Sequence, residues 1–486
     1  MNLNELTIKA ARKLLDDKTI SAVQLTTACL KRIKTTDKTL KALITLCEKS
    51  ALAAAHEADA RIAKGEKGIL LGIPYLAKDN LLTKGIKTTA ASKMLENYVA
   101  PYNATVIARL EAAGAILLGK TNLDEFAHGA STENSAFFTT KNPWDIKRVP
   151  GGSSGGSAAA LAADFCLFAL GSDTGGSIRQ PASFCSVVGF KPSYGRVSRH
   201  GLMSMTSSTD VVGPITKNVE DAALVLGVIA GVDEYDSTSS PDKVDNYTKN
   251  ISHNLKGLKI ALPQECFGSD LSPAVREVMD KAISELKKLG AQVREISLPH
   301  TKYSIPVYYI ITPSEISSNL ARLDGFRYGH RSKVKVGESL NEIYLQNRGE
   351  GFGPEVKRRI MLGTYALSAG YFDAYYKKAQ SVRMLISDEL NETLEKFDVI
   401  LTPTSPHTAF KIGGQDQDPL QMYLEDTFVS GPSLAGLPAI SIPAGFIKGL
   451  PLGLQIVGAK RQEAKVFQVA HNFEQATEWH KNKAKI

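Results

Sequence analysis

Two glycine-rich segments of the sequence carry serines that could act in covalent catalysis. Ser153 lies in the segment 150–157 and Ser177 lies in the segment 171–181, and each of these serines directly follows a Gly-Gly pair. Glycines let the backbone adopt left-handed conformations and approach a ligand closely. Consecutive N–H groups in such a turn can point one way and stabilise negative charge on a carbonyl oxygen. The two segments therefore predict a site where a serine attacks a carbonyl carbon.

A serine nucleophile needs a base, and Lys78 is a candidate for that base. It follows the apolar residues 73–77, which predict a strand. A lysine at that position is either a surface group whose stem covers apolar residues or a buried group. Burial would lower its pKa and leave the neutral amine that a base requires. The residues alone leave both alternatives open, and the surface is the commoner place for a single lysine.

Two other motif matches are rejected because of their context. Residues 114–121 satisfy the phosphate-binding pattern G-x-x-x-x-G-K-[ST]. The four variable positions read Ala-Ile-Leu-Leu, which predicts a buried strand and not a loop whose N–H groups could surround phosphates. Residues 284–287 match the pattern S-x-x-K. They lie on a predicted amphipathic surface helix, away from any glycine-rich turn, so we interpret this match as chance.

A third match competes for one of the serines. Residues 151–155 read G-x-S-x-G, the turn that carries the nucleophile of α/β-hydrolases, which would make Ser153 the nucleophile. That mechanism also needs an acid and a histidine further along the chain. Several histidines follow, so their number does not exclude it. His200 and His407 have no neighbours typical of a base, and we interpret each as a surface or loop residue.

The elements that must position these residues are those of an α/β protein. Residues 1–65 show helical spacing of apolar residues and contain strong helix formers. Between 69 and 216, short apolar runs alternate with helical patterns and glycine-rich turns, which predicts a sheet flanked by helices. Strands are predicted at 69–75, 115–118, 165–170, 258–262, 292–298, 398–403, 437–443 and 452–457. Helices are predicted at 105–113, 157–163, 273–290 and 356–394, and a loop at 237–254.

Composition places few limits on the function. The chain has 486 residues, of which 43% are apolar and 22% charged, as in ordinary soluble proteins. Its N-terminus lacks the pattern of a secretory signal, and the five cysteines form no C-x-x-C pair, which favours a reducing cytosol. The net charge of +8 would suit a partner such as RNA. The basic residues are spread along the chain, however, so we interpret the charge as that of an ordinary basic protein.

Lys78 at the end of its strand, Ser153 in the Gly-Gly-Ser-Ser-Gly-Gly-Ser run and Ser177 in Gly-Gly-Ser-Ile-Arg together resemble the amidase signature family. The resemblance extends over nearly the whole chain. It implies an α/β fold with a central mixed β-sheet flanked by helices on both faces. Residues 66–486 would form one amidase domain, with 1–65 as a helical segment packed on it. Ser177 would be the nucleophile, Ser153 the proton relay and Lys78 the base.

The resemblance also implies the rest of the site. The peptide bond between Gly152 and Ser153 would be cis. Arg358, or its neighbour Arg359, would bind a substrate carboxylate, and Asp426 would bind the amine. The predicted substrate contacts are Tyr309, Arg358 and Asp426, and the predicted oxyanion donors are the N–H groups of Thr174, Gly175 and Gly176 together with that of Ser177.

Three further segments, 119–127, 355–364 and 431–438, resemble the branch of the family that works in glutamyl-tRNA(Gln) amidotransferases. His128 and residues 431–433 depart from the pattern of that branch. The resemblance implies a cytoplasmic glutaminase that supplies ammonia for converting Glu-tRNA(Gln) to Gln-tRNA(Gln). It implies a heterotrimer with the amidotransferase subunits B and C, of which the first binds the tRNA. No cofactor is expected in this chain, whereas ATP and magnesium are expected in the partner that binds the tRNA.

Two other functions remain open on the sequence. One is a stand-alone amidase of the same family that acts on a different amide. The other is a scaffold without catalytic activity, which would bind RNA through its positive charge. Whether Asp-tRNA(Asn) would also be served cannot be read from these residues.

Overall fold

A mixed β-sheet forms the centre of the computed structural model, which describes residues 2–268, 271–333, 337–414 and 419–486. Within those ranges the sheet has eleven strands in the order β1-β3-β2-β4-β6-β5-β10-β11-β9-β7-β8. The strands are β1 (Leu43–Leu46), β2 (Pro74–Lys78), β3 (Ile116–Thr121), β4 (Phe168–Asp173), β5 (Val188–Lys191), β6 (Val211–Thr216), β7 (Lys259–Pro263), β8 (Gln292–Ile296), β9 (Val399–Pro403), β10 (Ala439–Ile447) and β11 (Leu450–Gly458).

Helices cover both faces of this sheet. Successive side chains of a strand point to opposite faces, and every residue of β2, β4 and β6 is buried, so neither face meets solvent there. The α-helices are α1 (Ile8–Asp16), α2 (Ala22–Leu40), α3 (Glu48–Ala63), α4 (Thr105–Ala112), α5 (Gly155–Ala162), α6 (Arg179–Cys185), α7 (Val219–Ile229), α8 (Pro273–Lys288), α9 (Ser304–Asn319), α10 (Leu340–Gly351), α11 (Pro354–Leu367), α12 (Lys378–Lys396), α13 (Pro419–Leu424), α14 (Ser430–Leu434) and α15 (Glu463–Thr477). The predicted α/β class is confirmed. In the described part of the chain, no helix combines the length and apolar content needed to cross a bilayer.

The pairing of β2 with its neighbours sets the position of the site. β2 lies between β3 and β4 and is parallel to both, with Ala77 opposite Leu170 in β4. Because parallel strands end at the same edge of a sheet, Lys78 at the end of β2 comes close to the end of β4. The glycine-rich turn with Ser177 leaves from that end of β4.

The N-terminal segment contains one element that the sequence prediction missed. Residues 1–65 are predicted to be helical, but Leu43–Leu46 form β1, which pairs antiparallel with β3 at the edge of the sheet. Pairing with a distant strand decides the conformation here, because no local helix signal is strong enough to oppose it. Residues of α1, α2 and α3 belong to the same apolar core as β2. The division into 1–65 and 66–486 stays a prediction.

Several predicted boundaries also shift. The strand predicted at 69–75 begins only at Pro74, because Gly72 turns the chain with a φ of +77°. The long helix predicted at 356–394 is divided between α11, a π-helical turn at Asp373–Lys377, and α12. Gly370, with a φ of +85°, lies in the break between them. The loop predicted at 237–254 is confirmed as turns without regular structure.

Candidate active site

Lys78 is fully buried, which decides between the two alternatives left by the sequence. Its Nζ lies 2.7 Å from Oγ of Ser153 and 2.9 Å from Oγ of Ser154. It also lies 2.9 Å from Oγ of Ser172, at the end of β4. Three hydroxyl groups therefore surround the amine, and within the described residues no carboxylate pairs with it at hydrogen-bonding distance.

This environment favours the neutral amine. Burial lowers the pKa of Lys78 to about 7, although the more distant carboxylates of Asp124, Asp173 and Asp210 act in the opposite direction. A lysine with that pKa is largely available as a base near neutral pH. The geometry thus places a buried amine of lowered pKa in hydrogen-bonding contact with the hydroxyl of Ser153, as a general base would require.

Ser153 lies in a turn whose backbone is tightly packed. The peptide bond between Gly152 and Ser153 is cis, as the resemblance implies. A Cβ atom at Gly152 would lie 2.1 Å from Oδ2 of Asp124, so only glycine fits at this position. Asp124 in turn accepts hydrogen bonds from the N–H groups of Thr132 and Asn134, at 2.8 and 3.1 Å. The buried carboxylate of Asp124 therefore packs against this turn and fixes its position.

Ser177 lies in the second glycine-rich turn, between β4 and α6, and is 8% exposed. Its carbonyl oxygen accepts a hydrogen bond from the N–H of Ser154 at 3.1 Å, which joins the two turns. Within the described residues, the Ser177 hydroxyl has no protein hydrogen-bond partner, and it is not bonded to the Ser153 hydroxyl. The structure thus brings Lys78 and Ser153 into contact, with the free hydroxyl of Ser177 in the adjoining turn.

A buried ion pair fixes the Ser177 turn. Asp173 accepts two hydrogen bonds from the guanidinium of Arg179, at 2.9 and 3.0 Å. Burial alone would raise the pKa of Asp173, but Arg179 holds it low, at about 2. Asp173 also accepts the N–H of Ile178 at 3.1 Å. The carboxylate therefore stays ionised and organises the backbone on both sides of Ser177.

The carboxylate of this ion pair occupies one of the N–H groups that were predicted to bind the oxyanion. The N–H of Gly176 donates to Oδ1 of Asp173 at 2.8 Å, so it is not free to bind a substrate oxygen. In the part of the chain that the structure describes, the N–H groups of Thr174, Gly175 and Ser177 have no such acceptor. The donor set that the geometry supports is therefore Thr174, Gly175 and Ser177.

The competing motifs are accounted for by the structure. Residues 116–121 form the buried strand β3, and Nζ of Lys120 donates to the carbonyl of Leu81 at 2.7 Å, so no phosphate loop exists there. Residues 284–287 lie on α8, the predicted surface helix, and Lys287 is exposed. The hydroxyl of Ser153 contacts Lys78, and no described histidine lies within hydrogen-bonding distance of it, which removes the α/β-hydrolase interpretation.

A cluster of charged and aromatic side chains adjoins the Ser177 turn. Tyr309 donates a hydrogen bond to Oδ2 of Asp426 at 2.9 Å, and a Cβ atom at Gly176 would lie 3.6 Å from the other oxygen of Asp426. Tyr309 stacks on Tyr423 with ring centroids 3.9 Å apart. The guanidinium of Arg359 lies 5.3 Å from the Tyr309 ring.

The two candidate arginines differ in burial. Arg359 is 2% exposed, and its Nε donates to Glu355 at 2.8 Å. The side chain of Arg358 is 44% exposed and bonds to the other oxygen of Glu355. Arg358 faces solvent whereas Arg359 lies inside next to Tyr309, so the structure favours Arg359 over Arg358, and the role of either as a carboxylate ligand stays a prediction.

Comparison with known proteins identifies the family. A family model described as amidase matches residues 24–467. The chain belongs to the amidase family. A relative from Thermoanaerobacter pseudethanolicus, named as the A subunit of glutamyl-tRNA(Gln) amidotransferase, is 55% identical over 479 residues, which are 99% of this chain and 98% of the relative.

Solved structures of amidases agree with this assignment. The crystal structure of the A subunit of glutamyl-tRNA(Gln) amidotransferase from Thermotoga maritima is similar with a TM-score of 0.82 and 45% identity, covering 98% of this chain and 95% of that one. The peptide amidase from Stenotrophomonas maltophilia has the same TM-score of 0.82 at 30% identity, covering 98% and 97%. The amidase-signature fold expected from the sequence is therefore confirmed.

The amidase site contains residues that the sequence prediction missed. Ser154 and Ser172 bind the Lys78 amine, and Arg179 with Asp173 fixes the turn that carries Ser177. The only local signals were the second serine of the Ser-Ser pair and the charged residues inside the segment 171–181. Within the described residues, no cluster of three or more His, Cys, Asp or Glu side chains could hold a metal ion.

Proposed function

We propose that this amidase is the glutamine-hydrolysing A subunit of a glutamyl-tRNA(Gln) amidotransferase. The observation that carries the proposal is the buried contact of Lys78 with Ser153, next to a side-chain cluster that holds both a carboxyl group and a guanidinium. A free amino acid carries an ammonium and a carboxylate, which those two groups of Asp426 and Arg359 complement. The names of the relatives at 53–55% identity over the full length support the same function.

The reaction begins with proton transfer. A serine hydroxyl is a poor nucleophile until a base takes its proton. The neutral amine of Lys78 accepts the proton of Ser153, and Ser153 accepts that of Ser177. Ser177 then attacks the side-chain amide carbon of glutamine. The contact of 2.7 Å between Lys78 and Ser153 supports the first transfer, and substrate binding brings the second pair of hydroxyls together.

The tetrahedral intermediate then releases ammonia. Its oxyanion is bound by the N–H groups of Thr174, Gly175 and Ser177, and one such donor contributes about 3–4 kcal/mol. The proton held by Lys78 returns through Ser153 to the leaving nitrogen. Water hydrolyses the remaining glutamyl ester by the same route and restores the Ser177 hydroxyl.

The partners of this chain follow from the proposal. The amidotransferase subunits B and C complete a heterotrimer in the cytoplasm. The first of these two partners binds Glu-tRNA(Gln) and uses ATP and magnesium to activate its glutamyl group. Ammonia from this chain attacks that activated group. The chain itself needs no cofactor, because the proposed chemistry uses only hydroxyl, amine and backbone N–H groups.

The proposal is tested by ammonia release from glutamine and by conversion of Glu-tRNA(Gln) in the reconstituted complex. We expect glutamine-dependent formation of Gln-tRNA(Gln) that requires this chain, its two partners and ATP. The alternative is a stand-alone amidase, a role suggested by the 30% identity to a peptide amidase. Rapid hydrolysis of C-terminal peptide amides by the chain alone, without hydrolysis of glutamine, would establish that alternative.

The pH dependence of kcat should show the protonation state of the proposed base, Lys78. Because the pKa of Lys78 is lowered to about 7, the protonated amine predominates below that pH and cannot accept a proton. We expect kcat for glutamine to rise about tenfold per pH unit below the pKa and to level off above it. Asp426→Asn serves as the control, since it should raise KM but keep this limb of the kcat profile. A flat kcat between about pH 5 and pH 8 would contradict the assignment.

The two adjacent arginines provide a matched pair of variants. Arg359→Ala should raise KM for glutamine by about tenfold to a hundredfold, because a hydrogen bond to a charged group contributes about 1.5–3 kcal/mol. Arg358→Ala removes a similar bond to Glu355 from an exposed side chain, and exposed ion pairs contribute little. We expect less than about a twofold change in its KM. Steady-state kinetics would contradict the assignment if the two variants were equally impaired.

A further inference from the structure

Helix α11, which places Arg359 against Tyr309, begins without a side-chain cap of its own. Its N-cap residue is Gly353, which has no side chain to accept the free N–H groups of the first turn. The carboxylate of Glu125 takes that role from a distant part of the chain, because its Oε2 accepts the N–H of Gly353 at 2.8 Å. A carboxylate at this end of a helix is also favoured by the helix dipole.

Glu125 is built into this position by its surroundings. Its side chain is buried, and the other carboxylate oxygen accepts a hydrogen bond from the hydroxyl of Ser92. The neighbouring rings of Phe126 and Phe352 pack edge to face with centroids 5.8 Å apart. Two independent contacts thus join residues 125–126 to the start of α11.

The preceding residue connects the same loop to the catalytic turn. Asp124 lies against Gly152, directly before Ser153, and leaves no space there for a side chain. Two consecutive carboxylates therefore reach in different directions: Asp124 packs against the turn that carries Ser153, and Glu125 holds the start of the helix that carries Arg359. The backbone of this loop is constrained as well, because Phe126, directly after Glu125, has a φ of +49°.

We propose that Glu125 is a positioning residue for substrate recognition: by holding the start of α11 at a fixed place relative to the catalytic turn, it sets the position of Arg359 and hence the affinity for the substrate carboxylate. This inference rests on the proposed function, in which that substrate is glutamine. Arg359 lies six residues after Gly353, about 9 Å along the helix axis. A displacement of the helix start is therefore passed directly to the guanidinium, and a hydrogen bond weakens steeply when its distance and angle depart from their preferred values.

The first test removes the carboxylate. In the complete complex, Glu125→Ala should raise KM for glutamine at least about tenfold, with kcat changed less than about threefold, because it weakens ground-state and transition-state binding equally. Glu125→Gln keeps an oxygen that can accept the Gly353 N–H, and its KM should stay within about threefold of the wild type. A general loss of structure would instead lower kcat and the thermal midpoint together in both variants and would overturn the inference.

A second test approaches the same contact from the helix. A Cβ atom at Gly353 would lie 2.4 Å from Oε2 of Glu125, so Gly353→Ala should displace the carboxylate and also raise KM. The backbone of Gly353, with a φ of −71°, accepts alanine without strain. Gly349→Ala on α10 is the matched control, since its Cβ would meet no described atom within 4 Å.

Combining the two changes gives a result that a purely structural role would not. In the Glu125→Ala background the clash is absent, so adding Gly353→Ala should change KM less than about twofold, whereas alone it should change KM at least about fivefold. Additive effects of the two substitutions, or an unchanged KM in a folded Glu125→Ala variant, would overturn the inference while the wild type still hydrolyses glutamine. Absence of glutamine hydrolysis by the wild-type complex would overturn the proposed function itself.

Discussion

Replacing Ser177 by alanine should abolish glutamine hydrolysis and leave the fold intact. The hydroxyl is the proposed nucleophile, and loss of the nucleophile in serine hydrolases lowers kcat by about six orders of magnitude. Ser177 is 8% exposed and its hydroxyl makes no hydrogen bond to another described residue, so its removal leaves no buried group without a partner. We therefore expect a thermal midpoint within about 2 °C of the wild type. Ammonia release and calorimetry check the two parts.

The same variant separates catalysis from a scaffold role. With added ammonium salt, the complex containing Ser177→Ala should still convert Glu-tRNA(Gln), because only the internal source of ammonia is lost. Ser284→Ala, a serine on the surface helix α8, serves as the control and should behave as the wild type with glutamine. If Ser177→Ala kept its glutamine-dependent activity, the chain would be a scaffold and the proposed nucleophile would be wrong.

The sequence predicted the proposed catalytic residues because their motifs are local. Ser153 and Ser177 each lie within a short glycine-rich segment whose geometry depends on nearby residues. The burial of Lys78 is not visible in the sequence, because a lysine at the end of a strand can equally lie at the surface. Only the parallel pairing of β2 with β4, in which Ala77 lies opposite Leu170, brings Lys78 to Ser172. Such pairing joins residues almost a hundred positions apart, and no short pattern encodes it.

The choice between Arg358 and Arg359 shows a different limit. Consecutive residues on a helix point about 100° apart, so the two arginines have different surroundings. The buried positions of α11 include Val356, Arg359, Gly363 and Ala366, which follow a spacing of three and four. That phase is visible in the sequence from Val356, Gly363 and Ala366, and it would have selected Arg359. The motif resemblance alone could not, because it treats neighbouring arginines alike.

The prediction that the Gly176 N–H binds the oxyanion is wrong for a reason that no motif contains. A glycine-rich turn offers several N–H groups, but the turn also needs some of them for its own stability. Asp173 accepts hydrogen bonds from the N–H groups of Gly176 and Ile178, and Arg179 neutralises its charge. Which N–H groups remain for a substrate depends on where that carboxylate points, and this is a property of the folded turn.

Lys78→Met should remove activity at every pH. Methionine has a similar length but no basic nitrogen, so Ser153 loses its proton acceptor, and kcat for glutamine should fall by about three to five orders of magnitude. Lys78→Arg should be equally inactive, because a guanidinium stays protonated and cannot act as a base. Measurable activity of Lys78→Arg that increases with pH, as in the wild type, would contradict the role of Lys78.

The same substitution should reveal what the buried base costs the fold. The pKa of Lys78 is lowered from 10.5 to about 7 in the folded chain. The unfolded chain therefore binds a proton more tightly, and the destabilisation is complete below pH 7 and disappears as the pH rises towards 10.5. Methionine lacks this cost at any pH. Between about pH 7 and pH 9.5, the free energy of unfolding of the wild type should therefore rise by about 3 kcal/mol relative to that of Lys78→Met. Urea titrations at both pH values measure this change. If the free energies of unfolding of the two proteins depended on pH in the same way, burial of Lys78 would not destabilise the folded protein.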